Sequence, residues 1–315
     1  MKKIFVMLLA AVAMASCEVR EDDSKLLKDN GLLSVNIGGW ESDVTPTRAS
    51  ASDAGVSYIS FKVFSGTTNS IGDGSWGDAV YSIIQDTVTT PSTNFGHVSC
   101  ELDAGTYTIV ATANKGENTG SVDIASPAKA TVPQSLMQQT WSKVSEVTVV
   151  ADQKSELSMT LPMVSAQLQI KNTGAKDSNA SYVKITVGDA TGSSFSKVIF
   201  NPNTGYALSG SEGGADKYVN ISSTLPEKDG ICSIDIPLWK TSANTDAADT
   251  AKVYLPVLIK VYNSTNDVLY QYDVSSVPFK LSFTTILEGD LYSNESSGTL
   301  TFTALQSEED LKAGF

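Results

Sequence analysis

Ala166-Gln167-Leu168-Gln169-Ile170-Lys171 alternates apolar and polar side chains without a break. An extended strand gathers such residues into one apolar face and one polar face, whereas a helix would scatter them around its axis. The same period runs through the chain on either side. Upstream, Leu33, Val35 and Ile37 are spaced by Ser34 and Asn36, and Ile59, Phe61 and Val63 by Ser60 and Lys62. Tyr107, Ile109, Ala111 and Ala113 oppose Thr108 and Thr112, and Leu157, Met159 and Leu161 follow. Downstream come Val183, Ile185 and Val187, then Phe279, Leu281 and Phe283, and finally Leu300 and Phe302. Turn-forming stretches at residues 72–77, 115–120, 172–174, 201–205 and 209–214 separate these runs. No long stripe of helical period occurs; short helices are expected only at residues 24–29 and 308–312. The chain therefore reads as all-β, its one-sided strands burying their apolar faces as sandwiches of two sheets.

Pro162 interrupts the ladder just before the opening run. A length of 315 residues suits about two domains of roughly 150 residues. The split falls near residue 160, giving an N-terminal sandwich over 49–160 and a C-terminal one over 161–315.

Composition narrows the function. The 22 Lys+Arg against 35 Asp+Glu leave a net charge of −13, which repels nucleic-acid phosphates and anionic bilayers. With one histidine, His97, a nucleophile triad that needs a histidine base must use His97 or nothing. His97 sits in a polar turn after Gly96 and reads as a surface or strand-end residue. Gly72-Asp73-Gly74-Ser75-Trp76-Gly77 has the spacing of a dinucleotide loop, but no helix follows to present amides to a pyrophosphate. Asp73 and Asp78 fall short of a calcium ligand set. No Gly-x-Ser-x-Gly elbow occurs, and no carboxylate pair stands out for glycoside hydrolysis. Trp40, Trp76, Trp141 and Trp239 fill a sandwich core or, if exposed, stack on sugar rings. The residues thus read as non-enzymatic and call for no metal and no cofactor.

The N-terminus carries an export signal. Lys2 and Lys3 precede an uncharged apolar run from Ile4 to Ala15, too short for the ~20 residues that span a bilayer. Met14-Ala15-Ser16-Cys17 resembles a bacterial lipobox, which makes residues 1–16 the signal peptide and Cys17 the lipidated first residue of the mature chain. The acidic Glu18-Val19-Arg20-Glu21-Asp22-Asp23 is similar to the surface-export signal of Bacteroides-type lipoproteins. Cys100 and Cys232 fall in different domains and are expected to be buried, unpaired thiols. Thr45-Pro46-Thr47-Arg48-Ala49-Ser50-Ala51-Ser52 is small, polar and proline-containing, the character of an exposed interstrand loop or of a protease substrate.

Together these features resemble the fimbrillins of Bacteroides-type, or type V, pili. The resemblance rests on Cys17 followed by a strand and Thr47-Arg48-Ala49, and on Leu102-Asp103-Ala104-Gly105-Thr106-Tyr107-Thr108-Ile109. It rests further on the junction Leu161-Pro162-Met163-Val164-Ser165-Ala166-Gln167-Leu168 and on Tyr254-Leu255-Pro256-Val257-Leu258-Ile259. At the junction, Met163 and Val164 stand where the family often has an arginine. The resemblance implies two tandem Greek-key, transthyretin-like β-sandwich domains and a precursor that reaches the outer membrane through lipid on Cys17. It further implies that an arginine-specific surface protease cuts between Arg48 and Ala49, discarding the propeptide 17–48 with its strand. The exposed groove would take a donor strand from another fimbrial subunit, drawn from part of residues 285–306, to build an extracellular, adhesive homopolymer. An anchor or tip subunit that keeps its lipid and its strand, or a surface glycan-binding lipoprotein, is the competing expectation.

Overall fold

A computed structural model describes residues 29–41, 56–71, 76–115, 122–133, 140–188, 193–194, 197–208, 217–240, 251–293 and 301–306. In chain order the first strands are β1 (Asn30–Glu41) and β2 (Tyr58–Ser65), followed by a single helical turn, α1 (Thr68–Ile71). Then come β3 (Tyr81–Asp86), β4 (His97–Asp103), β5 (Gly105–Asn114), the hairpin β6 (Asp123–Ser126) and β7 (Lys129–Pro133), β8 (Thr140–Val149) and β9 (Lys154–Pro162). They are followed by β10 (Ala166–Asn172), β11 (Ala180–Gly188), β12 (Ser193–Ser194), β13 (Lys197–Phe200) and β14 (Lys217–Ser223). The last are β15 (Ile231–Ile236), β16 (Val253–Asn263), β17 (Val268–Phe279), β18 (Thr284–Gly289) and β19 (Thr301–Gln306). The fold is all-β. Among the described residues no helix is long and apolar enough to cross a membrane.

A three-stranded sheet, β4-β1-β9, faces a four-stranded sheet, β3-β2-β5-β8. Leu33, Val35 and Ile37 meet Ile59, Phe61, Val63, Ile109 and Ala111 across the gap in one buried cluster. In the second sandwich β15-β10-β18-β19 faces β12-β14-β11-β16-β17. Its topology repeats the first. The opening strand of each sandwich lies in the interior of its sheet, antiparallel to one neighbour (β4 or β15) and parallel to the sandwich's late strand (β9 or β18). The second sandwich adds β19 outside β18.

A small sheet, β13-β7-β6, joins the two bodies. Lys197–Phe200 of the second pairs antiparallel with residues 130–133 of the first. It lies over the outer face of β2, β5 and β8, where Phe64, Val110 and Val144 enter one core with Ile124, Val132, Val198 and Phe200. Thr108 and Thr112, on the polar face of the alternation, are fully buried for this reason. Under the cover Lys62 Nζ donates to the Ile124 carbonyl at 2.6 Å and Ser142 Oγ donates to the Pro202 carbonyl at 3.0 Å, whereas the buried Thr112 hydroxyl has no hydrogen-bond partner among the described residues.

One expected strand is corrected. Phe279, Leu281 and Phe283 alternate in sequence, yet β17 ends at Phe279 and the chain turns. Ser282 has φ of 66°, its amide donates to the Ser165 carbonyl at 2.9 Å, and its hydroxyl donates to the Met163 carbonyl at 3.1 Å. The left-handed conformation and these bonds to the interdomain segment override a pattern only three apolar residues long.

Candidate functional site

The candidate site is the slot that β1 fills. Its inward side chains are buried: Leu33 at 0% exposure, Val35 at 1% and Ile37 at 2%. One edge pairs antiparallel with β4 from Asn30↔Asp103 to Asn36↔His97. The other pairs parallel with β9 from Leu32↔Lys154 to Glu41↔Pro162, with a register shift between Ile37 and Gly39. β1 is therefore hydrogen-bonded along both edges, and its removal would leave β4 and β9 as facing, unpaired edges over an apolar trench.

Both ends of the strand are clasped. At the start, the Ala104 amide donates to the Asp29 carbonyl at 2.8 Å and the Asp152 amide to the Asn30 carbonyl at 2.9 Å. Gly31 lies against the Val150 carbonyl, where a Cβ would collide. Further along, the Ile37 amide donates to the Gly96 carbonyl at 2.8 Å. Gly96 has φ of 88°, and a Cβ there would sit 2.6 Å from the Ile37 oxygen, so glycine is required both conformationally and sterically. The buried Gln85 side chain shapes this turn. Its Nε2 donates to the carbonyls of Asn94 at 3.2 Å and His97 at 2.8 Å, and its Oε1 accepts from the Gly96 amide at 2.8 Å. Sequence reasoning missed Gln85, although glycine before His97 marked the turn itself.

Burying Leu33, Val35 and Ile37 contributes about 1.5–3 kcal/mol each. A domain's whole stability is about 5–15 kcal/mol. Loss of β1 is thus comparable with the stability of the sandwich, and an emptied slot demands a replacement strand.

The expected donor region, residues 285–306, divides sharply. β18 is an interior strand, parallel to β10 and antiparallel to β19, with Thr285 and Leu287 both fully buried. The turn after it is pinned. Leu291 is fully buried and its amide donates to Asn172 Oδ1 at 3.1 Å. Tyr272 donates its hydroxyl to the Asp290 carbonyl at 2.8 Å, and Tyr292 donates to the Pro226 carbonyl at 2.9 Å. β19 pairs with β18 alone among the described residues, so it is the part of the region with a single partner to give up.

Cys17, Arg48 and Ala49 lie outside the described residues, as do Asp73, the side chain of Trp40 and both expected short helices apart from Asp29. His97 is exposed at the start of β4. Cys100 and Cys232 are free and buried; burial pushes the Cys100 thiol up to about 11 and raises that of Cys232. Trp141 and Trp239 are core residues at 3% and 2% exposure, and Trp76 packs edge-on against Phe64 with ring centroids 6.0 Å apart. Among the described residues no three His, Cys, Asp or Glu side chains gather where a metal could be held.

No protein-family model matches the sequence, and no curated protein matches it. Solved structures are similar, 41 chains in all. A Bacteroides thetaiotaomicron protein proposed to bind polysaccharide is similar at TM-score 0.49 and 12% identity, over 89% of this chain and 99% of that one. The fimbrial anchor protein Mfa2 from Porphyromonas gingivalis is similar at TM-score 0.46 and 14% identity, over 87% of this chain and 96% of that one. The C-terminally truncated tip fimbrial protein Mfa3 from the same organism is similar at TM-score 0.43 and 11% identity, over 84% and 96%.

Proposed function

We propose that this chain is the precursor of a structural subunit of a cell-surface fimbrium, and not an enzyme. It is exported as a lipoprotein through Cys17 and cut between Arg48 and Ala49. It then polymerises when β19 of one copy enters the slot that β1 of another has left. The observation that carries this reading is the position of β1: the first of the described strands, interior to its sheet, supplying three core side chains and followed by the arginine-bearing segment. A terminal strand in that position can be cut away without breaking the rest of the chain, and what remains is a strand-shaped acceptor.

The distribution of basic residues supports the same reading. The arginines of this sequence are Arg20 and Arg48; the other 20 of its 22 Lys+Arg residues are lysine. An arginine-specific protease that reaches the protein therefore finds its bonds only before residue 49, and the body it leaves carries no further site.

The test is Arg48→Ala in the producing cell. The variant should fold, reach the surface and remain monomeric, while wild type forms a high-mass ladder that heating dissolves. A ladder of normal length from the variant would overturn the proposal.

A further inference from the structure

The sheet β3-β2-β5-β8 ends on β3, which pairs with β2 alone among the described residues. The register runs from Tyr58↔Asp86 to Val63↔Tyr81 and continues one step further, where the Thr87 amide donates to the Ser57 carbonyl at 3.1 Å. In an antiparallel ladder alternate residues turn both backbone groups to the same side. Tyr81, Ile83 and Gln85 therefore bond to β2, while Ser82, Ile84 and Asp86 face the open edge. Asp86 closes its own end: its amide donates to Thr90 Oγ1 at 3.3 Å and its carbonyl accepts from the Thr90 amide at 2.9 Å. At the other end the Val80 amide donates to the Val63 carbonyl at 2.9 Å. The open donors and acceptors of β3 are those of Ser82 and Ile84.

Natural sheets guard such an edge with charge. Other edge strands of this molecule do so: β4 carries Glu101, β17 carries Asp273, and β9 carries Lys154 and Glu156, paired at 2.6 Å. From Ala79 to Gln85 no side chain is charged. Asp86, the first charge, is folded back onto the turn, its carboxylate accepting from the Val88 and Thr89 amides at 2.8 and 2.7 Å. The edge is apolar instead. Val80 is 51% exposed, Ile84 58% and Val88, in the turn, 90%. These are three of the six large apolar side chains that stand exposed among the described residues, gathered within one short stretch. On the inner face Tyr81 and Ile83 are only partly buried at the rim of the core.

This strand is complementary to a copy of itself. With two copies antiparallel about a two-fold axis at Ile83, Ser82 of each stands opposite Ile84 of the other. All the open amides and carbonyls then exchange bonds in the pattern of an unbroken sheet. Ile83 meets Ile83 of the second copy at the axis, and Tyr81 meets Gln85. No charge opposes a like charge, which matters in a chain of net charge −13. We propose that β3 is a second association surface, on which two copies of this chain pair edge to edge and join their β3-β2-β5-β8 sheets into one.

The contact is isologous and closes on two copies. It is small against the roughly 1,200–2,000 Å² of a stable complex, so in dilute solution it is weak. Uncut copies therefore still run as monomers on the gel that displays the strand-exchanged ladder. On a cell surface, or between filaments lying side by side, many such contacts act together. The pairing goes beyond the fimbrial reading and does not depend on it, since it uses neither the cut nor the β1 slot.

The test uses the chain purified without signal peptide or lipid and carrying Arg48→Ala. It keeps β1 whether or not the processing reading holds, so strand exchange supplies no contact. Sedimentation equilibrium from micromolar to millimolar protein should show the mass rising from one copy toward two. The Ser82 and Ile84 amides should gain protection from hydrogen exchange over the same range. Ser82→Pro removes an amide that bonds nothing within the copy, a place where an edge strand accepts proline. It should leave the Tm of the single copy in place and weaken association about ten-fold or more, because two amide hydrogen bonds are lost. If Ser82→Pro does not fold, Ile84→Lys decides, since it puts a charge on an exposed position beside the axis. A single-copy mass at every concentration, growth beyond two copies, or association unchanged in the variants would each overturn the proposal.

Discussion

Two buried polar side chains carry measurable consequences at the scale of single residues. Gln85 spends its whole amide on the turn that clasps β1, through bonds at 2.8–3.2 Å to residues 94, 96 and 97. Gln85→Ala leaves those backbone groups unpaired beside a buried void. It should cost about 2–4 kcal/mol in urea unfolding, and the Ile37 amide, whose acceptor is Gly96, should lose protection from hydrogen exchange first. Asp235 offers a test by pH. Burial pushes its carboxyl up to about 6, against the smaller opposing pulls of the Gln167 amide and Lys115. The folded state thus holds a proton that the unfolded chain releases near pH 4. Stability from this group is full below that point and is lost as pH rises through 6. Asp235→Asn should flatten this slope and gain up to roughly 3 kcal/mol on wild type at pH 7 relative to pH 4. Urea midpoints at the two pH values check it.

Individual elements show what the sequence made readable and what it hid. β1 and β10 follow the alternation of their residues because in each the inward set alone is buried, whereas β2 also buries Ser60 and Phe64 on its outer face, under the covering sheet. The covering sheet was not readable. β6, β7 and β13 are four or five residues long, and β7 and β13 pair from opposite sides of the interdomain junction. No local period reports a partner so distant. The slot was half legible. Leu33, Val35 and Ile37 announce a strand, but that it lies between β4 and β9, parallel to the latter, depends on pairing across more than a hundred residues. The same limit left the donor region undivided until β18 proved to be interior and β19 peripheral. Deleting residues 301–315 should therefore leave cooperative unfolding in place, since β18 keeps β10 and the core keeps Leu287 and Leu291. It should abolish the heat-sensitive ladder, as gel analysis with and without heating would show.

On the scale of the whole molecule, two sandwiches of one topology are joined by the covering sheet and share a hydrophobic cluster across it. In the proposed assembly the acceptor slot belongs to the first and the donor β19 to the second, so a copy offers two different surfaces. A contact between unlike surfaces does not close on itself, and repeated, it grows into a filament. In that assembly the strand supplies the specific bond, while the cleaved subunit's 16 Lys against 28 Asp+Glu, a net charge of −12, oppose unspecific clumping. Tests of the slot, the terminal strand and the arginines converge on one quantity, the N-terminus of the protein taken from the producing cell's surface, read together with its mass. The account predicts a chain that begins at Ala49, within a ladder of high-mass species that heating converts to monomer. A monomeric chain that still begins at a lipid-bearing Cys17 and retains β1 would contradict it.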